Sequence, residues 1–441
     1  MQGVLLLLVW ISLFVMGFQA PFAFGLGYLW VDLFTPQYVD PGLMNAFPLS
    51  LIMGASAVGA YLLADTKAPP GPRVGIVLAL LWVVWITLTT LWAEVPEAAW
   101  VKWSWAYKTV LFSAFMPFIF RSRVQIEAAV LVIVLSISAH AMAFGAKTLL
   151  TGGGYGARYG LVLGNSGFGE GSTLAINCVG LLPLLGWLAR HSIIVPRWRL
   201  RGLGFLGLAA MEVLAAVGTY ARAGLVSLGV FTVFYWWTSR RKVLLLGAFV
   251  AIGLALPAFM GADYSARMST ILDPLHEKSA AGRVAVWSWT WKYVLDHPLG
   301  GGFDVYRIGA TDVVIDGVEL TEQSRAFHST WFEVLGEHGF VGAGIFGSMI
   351  VTFILSAWRI RRRARKIEEL VWASDLATAM LVSAATYFAG ATFIGVAFQP
   401  FHYYLFALAV SLLNHYDRAT EARRGPQLAV SPPRAAATVR A

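Results

Sequence analysis

Long apolar runs recur along this 441-residue sequence, near residues 4–18, 47–64, 74–92, 104–119, 126–148, 172–189, 202–219, 223–238, 243–260, 340–358, 372–395 and 400–414. Most are about as long as a helix needs to cross the hydrocarbon of a bilayer. Lipid offers backbone N–H and C=O groups no partner, so such runs form helices or closed barrels. Barrel strands would alternate apolar and polar residues over short stretches, whereas these runs are continuous. The expected fold class is therefore an all-α polytopic membrane protein of about twelve spans. Composition agrees, with 58% hydrophobic residues, 13% charged residues and a mean hydropathy of +0.67. No Lys or Arg precedes the first run, so it is expected to be retained as a span and not removed as a signal peptide. Residues 21–34 are aromatic-rich and fit either a re-entrant or interfacial piece or the continuation of a long tilted first helix. The lone Cys178 lies in an apolar run and is expected to be a small core residue.

Charge orients the spans. The connectors 65–73, 120–125, 190–201, 239–242 and 359–366 and the tail after His415 hold 22 of the 33 Lys and Arg residues. Loops rich in these residues stay in the cytoplasm. With twelve spans they fall on one side, together with both termini. The net charge of +9 thus reads as a topology signal, and since each basic run abuts a span, the expected partners include membrane lipids but no nucleic acid. Four regions follow: spans one to nine over 1–260, a loop domain over 261–339, spans ten to twelve over 340–414, and a disordered tail over 415–441. The loop domain holds nine acidic and six basic residues over 261–327. It emerges on the opposite face with residues 149–171 and the corner at Tyr220–Arg222. In a double-membraned bacterium that face is the periplasmic side of the inner membrane.

Three arginines lie on this face, where the positive-inside bias disfavours them. Arg158 sits in GGGYGARYG, Arg222 in TYARAG, and Arg283 opens AGRVAVWSWTWKYVLD. A charge at the edge of the hydrocarbon needs a partner. Either snorkelling and pairing with loop acids satisfies each one, or all three share an anion. Guanidinium grips phosphate oxygens bidentately, and a diphosphate has room for more than one such fork. The glycines at 152–154 and 156 lack the strand and Gly-Lys context of a phosphate-binding loop. His328 and His338 are the candidate proton acceptors. Ten residues separate them, about 15 Å along a straight helix, so they cannot serve one atom interchangeably. Asp304, Asp312, Asp316, Glu319 and Glu322 form no compact ligand motif, and no His-Glu-x-x-His is present, so no metal and no cofactor is expected.

His328-Ser329, nine residues, Gly339, two residues, and Gly342 resemble the motif of the O-antigen ligase and polymerase superfamily. GRVAVWSWTWKYVLDHPLGGGFDVY resembles the family's arginine–tryptophan–His-Pro-Leu-x-Gly segment. TYARAG is similar to its Ser-Arg-Gly corner, with Ala221 in place of serine. The N-terminal stretch resembles ligases associated with exosortase systems. The resemblance implies a polytopic, GT-C-like glycosyltransferase that is inverting and metal-independent and acts at the periplasmic face. Its donor would be O-antigen polysaccharide on undecaprenyl diphosphate, and its acceptor a sugar hydroxyl of lipid A–core in lipopolysaccharide biosynthesis. Arg222 and Arg283 would then bind the diphosphate, with Arg158 as a third contact, and His328 would be the motif's histidine. His338 is the competing base, since it stands next to Gly339 and close to the head-group level. A polymerase would use a second lipid-linked glycan as acceptor, and a protein O-oligosaccharyltransferase would use a protein side chain. A flippase or transporter would instead place its charges near the bilayer midplane on broken helices.

Overall fold

A computed structural model of the chain describes residues 2–71, 73–154, 161–162, 167–239, 241–261, 264–266, 278–315 and 318–424. Its helices are α1 (Gln2–Gln19), α2 (Phe22–Phe34), α3 (Leu49–Leu63), α4 (Val74–Leu91), α5 (Pro96–Ile119), α6 (Arg123–Thr151) and α7 (Gly171–His191). They continue as α8 (Arg201–Gly218), α9 (Arg222–Thr238), α10 (Lys242–Met260), α11 (Lys278–Asp296), α12 (Thr330–Ala364), α13 (Val371–Ala391) and α14 (Pro400–Arg424). Among the described residues one antiparallel hairpin interrupts them. In it β1 (Ala310–Ile315) pairs with β2 (Val318–Gln323), with Ala310 opposite Gln323 and Ile315 opposite Val318.

Every expected span is helical. Seven of the described helices are long and apolar enough to cross a membrane: α1, α4, α6, α7, α8, α12 and the segment Glu368–Ala391 that contains α13. The other five expected segments differ for local reasons. α3 has 15 residues and α9 has 17, only about 22 and 26 Å of rise. α5 begins at Pro96, eight residues before the expected 104, and takes Glu97 and Lys102 into its first turns. α14 runs ten residues past the expected end at 414, through a charged stretch. α10 has the expected bounds to within a residue. Residues 21–34 do not continue the first helix. The chain breaks at Ala20 and Pro21, and α2 buries ten of its thirteen residues against α3 and α6.

Apolar residues all round a helix mark one enclosed by others. α7 is such a helix: fifteen of its 21 residues are buried, Cys178 among them, between α8, α6, α9 and α13. α1 is the opposite case, with Val4 56% and Leu5 63% exposed. Exposed aliphatic residues on so many helices would be an aggregation hazard in water but are the expected face toward lipid. The molecule is a multi-pass membrane protein.

α12 is continuous by hydrogen bonding, but it breaks at Gly339, whose φ of 64° and ψ of −166° lie outside the helical region. The break frees backbone groups that a straight helix would pair, and the segment after α11 takes them up. Phe340 N–H donates to Pro298 O at 3.0 Å, while Gly301 N–H reaches Gly336 O at 3.1 Å and Gly302 N–H reaches Glu337 O at 2.9 Å. The two backbones touch. A Cβ on Gly339 would lie 2.2 Å from Pro298 O, and one on Gly300 would lie 2.5 Å from Gly339 N. Both glycines also have positive φ, so both steric room and conformation exclude a side chain. The His-Pro-Leu-Gly-Gly-Gly stretch and the glycine of the His-x10-Gly spacing are the two halves of one crossing.

Alanine at Gly339 meets backbone on one side and a left-handed φ on the other, a strain on the order of 1–3 kcal/mol before any clash is counted. Gly339→Ala is expected to lower the thermal unfolding temperature of the detergent-solubilised protein clearly. Gly344→Ala, where a Cβ would meet nothing within 4 Å, should leave it unchanged. Equal stability of the two variants would contradict the crossing.

Candidate functional site

The candidate site is drawn from three chain segments. The first is α11, packed through Val286, Tyr293 and Val294 against Val305 and Phe327 in a small core of its own. Tyr293 Oη donates to Glu94 Oε1 at 3.3 Å, tying α11 to the turn between α4 and α5. The second is the strap 324–329 that leads into α12. Ser324 N–H donates to Gly309 O at 2.9 Å and Trp287 Nε1 donates to Phe327 O at 2.8 Å, so the strap is pinned at both ends across α11. The third is the α8–α9 corner, where Tyr220 adopts φ 56° and its hydroxyl lies 3.0 Å from both Gly152 O and Met260 O.

Each sequence-predicted residue has a definite place in this frame, except Arg158, which lies outside the described residues. Arg283 stands in the second turn of α11, half-buried. His328 lies in the strap and not on a helix: Ser329 is the N-cap, and α12 begins at Thr330. His328 is half-buried with φ 46°, a left-handed conformation unusual for a side-chain-bearing residue and of the kind that gathers at functional sites. Burial, then the charges of Arg283 and Arg325, push its imidazole below the ordinary histidine range, while Glu170 pulls the other way. The neutral ring is therefore the resting form near neutral pH. Glu170 caps α7, accepting from Ser172 N–H at 3.0 Å and Thr173 N–H at 2.6 Å. Arg222 opens α9. A Cβ on Gly224 would lie 2.6 Å from Ala175 Cβ in the first turns of α7, and one on Gly390 would lie 2.9 Å from Ala223 O. Arg222 thus sits at the same end of the bundle as Glu170 and the end of α13. The first turn of α12, directly after the strap, joins there through Trp331, whose indole donates to Thr392 Oγ1 at 3.0 Å.

His338 is elsewhere. It is fully buried, its ring met edge-on by Trp82, Phe303 and Phe398 at centroid distances of 5.1, 4.7 and 5.4 Å. Its Nδ1 shares a 2.7 Å hydrogen bond with Thr89 Oγ1. The ring has no solvent exposure.

One constellation escaped the sequence reading. Lys102, in the first turns of α5, buries its ammonium 2.7 Å from Glu333 Oε1, 2.7 Å from Glu337 Oε1 and 3.7 Å from Asp304. Glu337 Oε1 also accepts from Asp304 N–H at 2.9 Å, and Glu333 Oε2 from Ala397 N–H at 2.9 Å. Phe303 and Phe398 lie 5.5 and 5.4 Å from the ammonium. Burial alone would lower the Lys102 pKa, but Glu333, Glu337 and Asp304 together raise it above the ordinary lysine range. The cation ties four segments to one point: α5, residues 300–304, the first turns of α12 and the α13–α14 loop. The only sequence signal is a lysine among tryptophans just before an apolar run.

The helices present a lipid-facing apolar surface, and the strap carries a half-buried histidine on which the charges of Arg283 and Arg325 act. Residues 204–347, which include Arg222, Arg283 and His328, match the family model described as O-antigen ligase. The chain carries a domain of that family, which supports its place in the O-antigen ligase/polymerase superfamily. Residues 1–193, which supply Lys102 and Glu170, match a family of unknown function. No curated protein matches the chain.

Removing the Lys102 charge leaves three carboxyl groups around an empty centre, and breaking such a buried cluster costs about 3–5 kcal/mol. Lys102→Met should lower thermal stability in detergent by an amount of that order. Adding Glu337→Gln, which removes one of the stranded charges, should recover part of it. A single variant as stable as wild type would mean the cluster bears no weight.

Proposed function

We propose that the protein transfers O-antigen polysaccharide from undecaprenyl diphosphate to a sugar hydroxyl of lipid A–core, at the periplasmic face of a bacterial inner membrane. The observation that carries this reading is a half-buried, electrostatically neutral histidine beside arginines, inside the region that matches the O-antigen ligase family. Arg283 and Arg222 hold the diphosphate, which a lipid carrier presents at the level of the helix ends. His328 takes the proton of the acceptor hydroxyl. That oxygen attacks the anomeric carbon from the face opposite the diphosphate. One C–O bond forms, the C–O bond to phosphate breaks, and the electron pair leaves on the diphosphate, with inversion. Fixed guanidinium groups stabilise the leaving group most when its charge is greatest, and so they lower the barrier and not only the binding energy. His338 packs the α12 break and takes no part in proton transfer.

A base must come within about 3 Å of the hydroxyl, directly or through one water. Positioned proton transfer contributes on the order of 10²–10⁴-fold. His328→Ala should therefore lower turnover at saturating donor by that factor while donor still binds. Arg222→Ala and Arg283→Ala should lower turnover too, with lysine restoring only part because the two-pronged fork is lost. The assay uses purified protein and lipid-linked donor, with lipid A–core, a second lipid-linked glycan and a protein acceptor offered separately. Wild-type turnover in both folded arginine variants would refute the anion site. Preference for the second glycan would make the enzyme a polymerase, and preference for the protein acceptor a protein O-oligosaccharyltransferase.

Arginines can carry the leaving-group charge themselves, and a diphosphate is already a good leaving group. Transfer is expected to survive excess EDTA. Loss on chelation with recovery on added magnesium or manganese would show that a metal shares that charge.

A further inference from the structure

We propose that Arg325 is a further diphosphate-binding residue, and that Gly282 is the positioning residue that gives it its place. The inference rests on the donor chemistry proposed above and extends it to Arg325, outside the motifs, and to the glycine that precedes Arg283.

Gly282 is buried and directly precedes Arg283 in α11. The guanidinium of Arg325 lies flat against its α-carbon: a Cβ at Gly282 would fall 2.1 Å from Arg325 Cζ, 2.2 Å from Nη1 and 2.6 Å from Nε. No side chain fits between them, so a residue other than glycine forces the guanidinium away. Arg325 reaches this spot from the strap, which is held on either side of it by the Ser324–Gly309 and Trp287–Phe327 hydrogen bonds. Its backbone is thus fixed, three residues before His328, while its head lies on the turn of α11 that carries Arg283. A diphosphate has two phosphoryl groups, and one planar fork grips one of them. Arg283 and Arg325 would supply two such forks, and both charges act on His328. Arg283, Arg325 and Glu170 are the charges that act on the His328 ring, and the two cations depress its proton affinity. The same pair that would hold the leaving group therefore keeps the base neutral.

The test compares Arg325→Ala, Arg325→Lys and Gly282→Ala with wild type and Arg283→Ala in the purified full-length protein, by donor titration and by the pH dependence of turnover. Arg325→Ala is expected to weaken apparent donor affinity by about 10–100-fold, as for the loss of a charged hydrogen-bonding partner. Arg325→Lys should recover part of that. Gly282→Ala keeps every charge and displaces only the flexible end of a side chain, so the fold should hold while donor affinity falls toward the Arg325→Ala value. Removing one cation also raises the proton affinity of His328. The acid limb of the turnover profile should then move to higher pH in Arg325→Ala, a shift that a purely structural role would not produce. If Arg283→Ala fails while Arg325→Ala and Gly282→Ala bind donor like wild type with an unmoved acid limb, this inference is overturned and the donor reading stands. If Arg283→Ala also binds donor normally, the donor reading itself has failed.

Discussion

Two stretches of backbone, 298–302 and 336–340, lie in contact where Gly300 meets Gly339, and the geometry of the candidate site follows from that contact. A helix interrupted inside a membrane protein must satisfy the groups it frees, and here a second chain segment does so. The first turns of α12 are thereby set apart from its membrane-crossing part. The strap that precedes them is laid across α11, and the charge of Arg283 acts there on His328. The buried ammonium of Lys102 fastens the same place through side chains, drawing on Glu333 and Glu337 from α12 and Asp304 from the loop. Its position also links the two matched regions, since Lys102 belongs to the stretch of unknown function and its partners to the loop and the ligase-like part.

The electrostatics of the two histidines divide their roles. His328 is half-buried, flanked by arginines and a carboxylate, on a strap whose backbone is strained. The cationic neighbours favour the neutral imidazole; in the proposed reaction the same charges would also hold the departing diphosphate. His338 is enclosed by aromatic rings and bonded to Thr89, which suits a residue that shapes the crossing and not one that meets substrate.

Much of the fold was legible in the sequence because lipid imposes a simple pattern. The apolar run at 172–189 became α7 within two residues at each end, and the run at 74–92 became α4 with similar accuracy. Boundaries failed where charge is buried in protein, a condition that hydropathy does not register. Lys102, held by Glu333 and Glu337, lies in a part of α5 before its apolar run, and the bend at Gly339 divided what looked like one straight helix. The spacing of His328 and Gly339 was readable as a motif, but its physical meaning was not. The glycine serves a backbone crossing with residues forty positions upstream, a relation that no local pattern carries. Arg325 was invisible for the same reason, since its significance lies in contact with Gly282, far away in sequence.

The central claim is that the diphosphate of the donor rests on the arginines beside His328. It is tested most directly by an electron cryo-microscopy structure of the protein in lipid nanodiscs with an uncleavable polyprenyl-diphosphate-linked donor. The account predicts phosphoryl oxygens within hydrogen-bonding distance, about 3 Å, of the Arg222 and Arg283 guanidinium groups. It also predicts the anomeric carbon on the side facing His328. A diphosphate seated away from these arginines, or one that opens the aromatic enclosure to lie against His338, would contradict it.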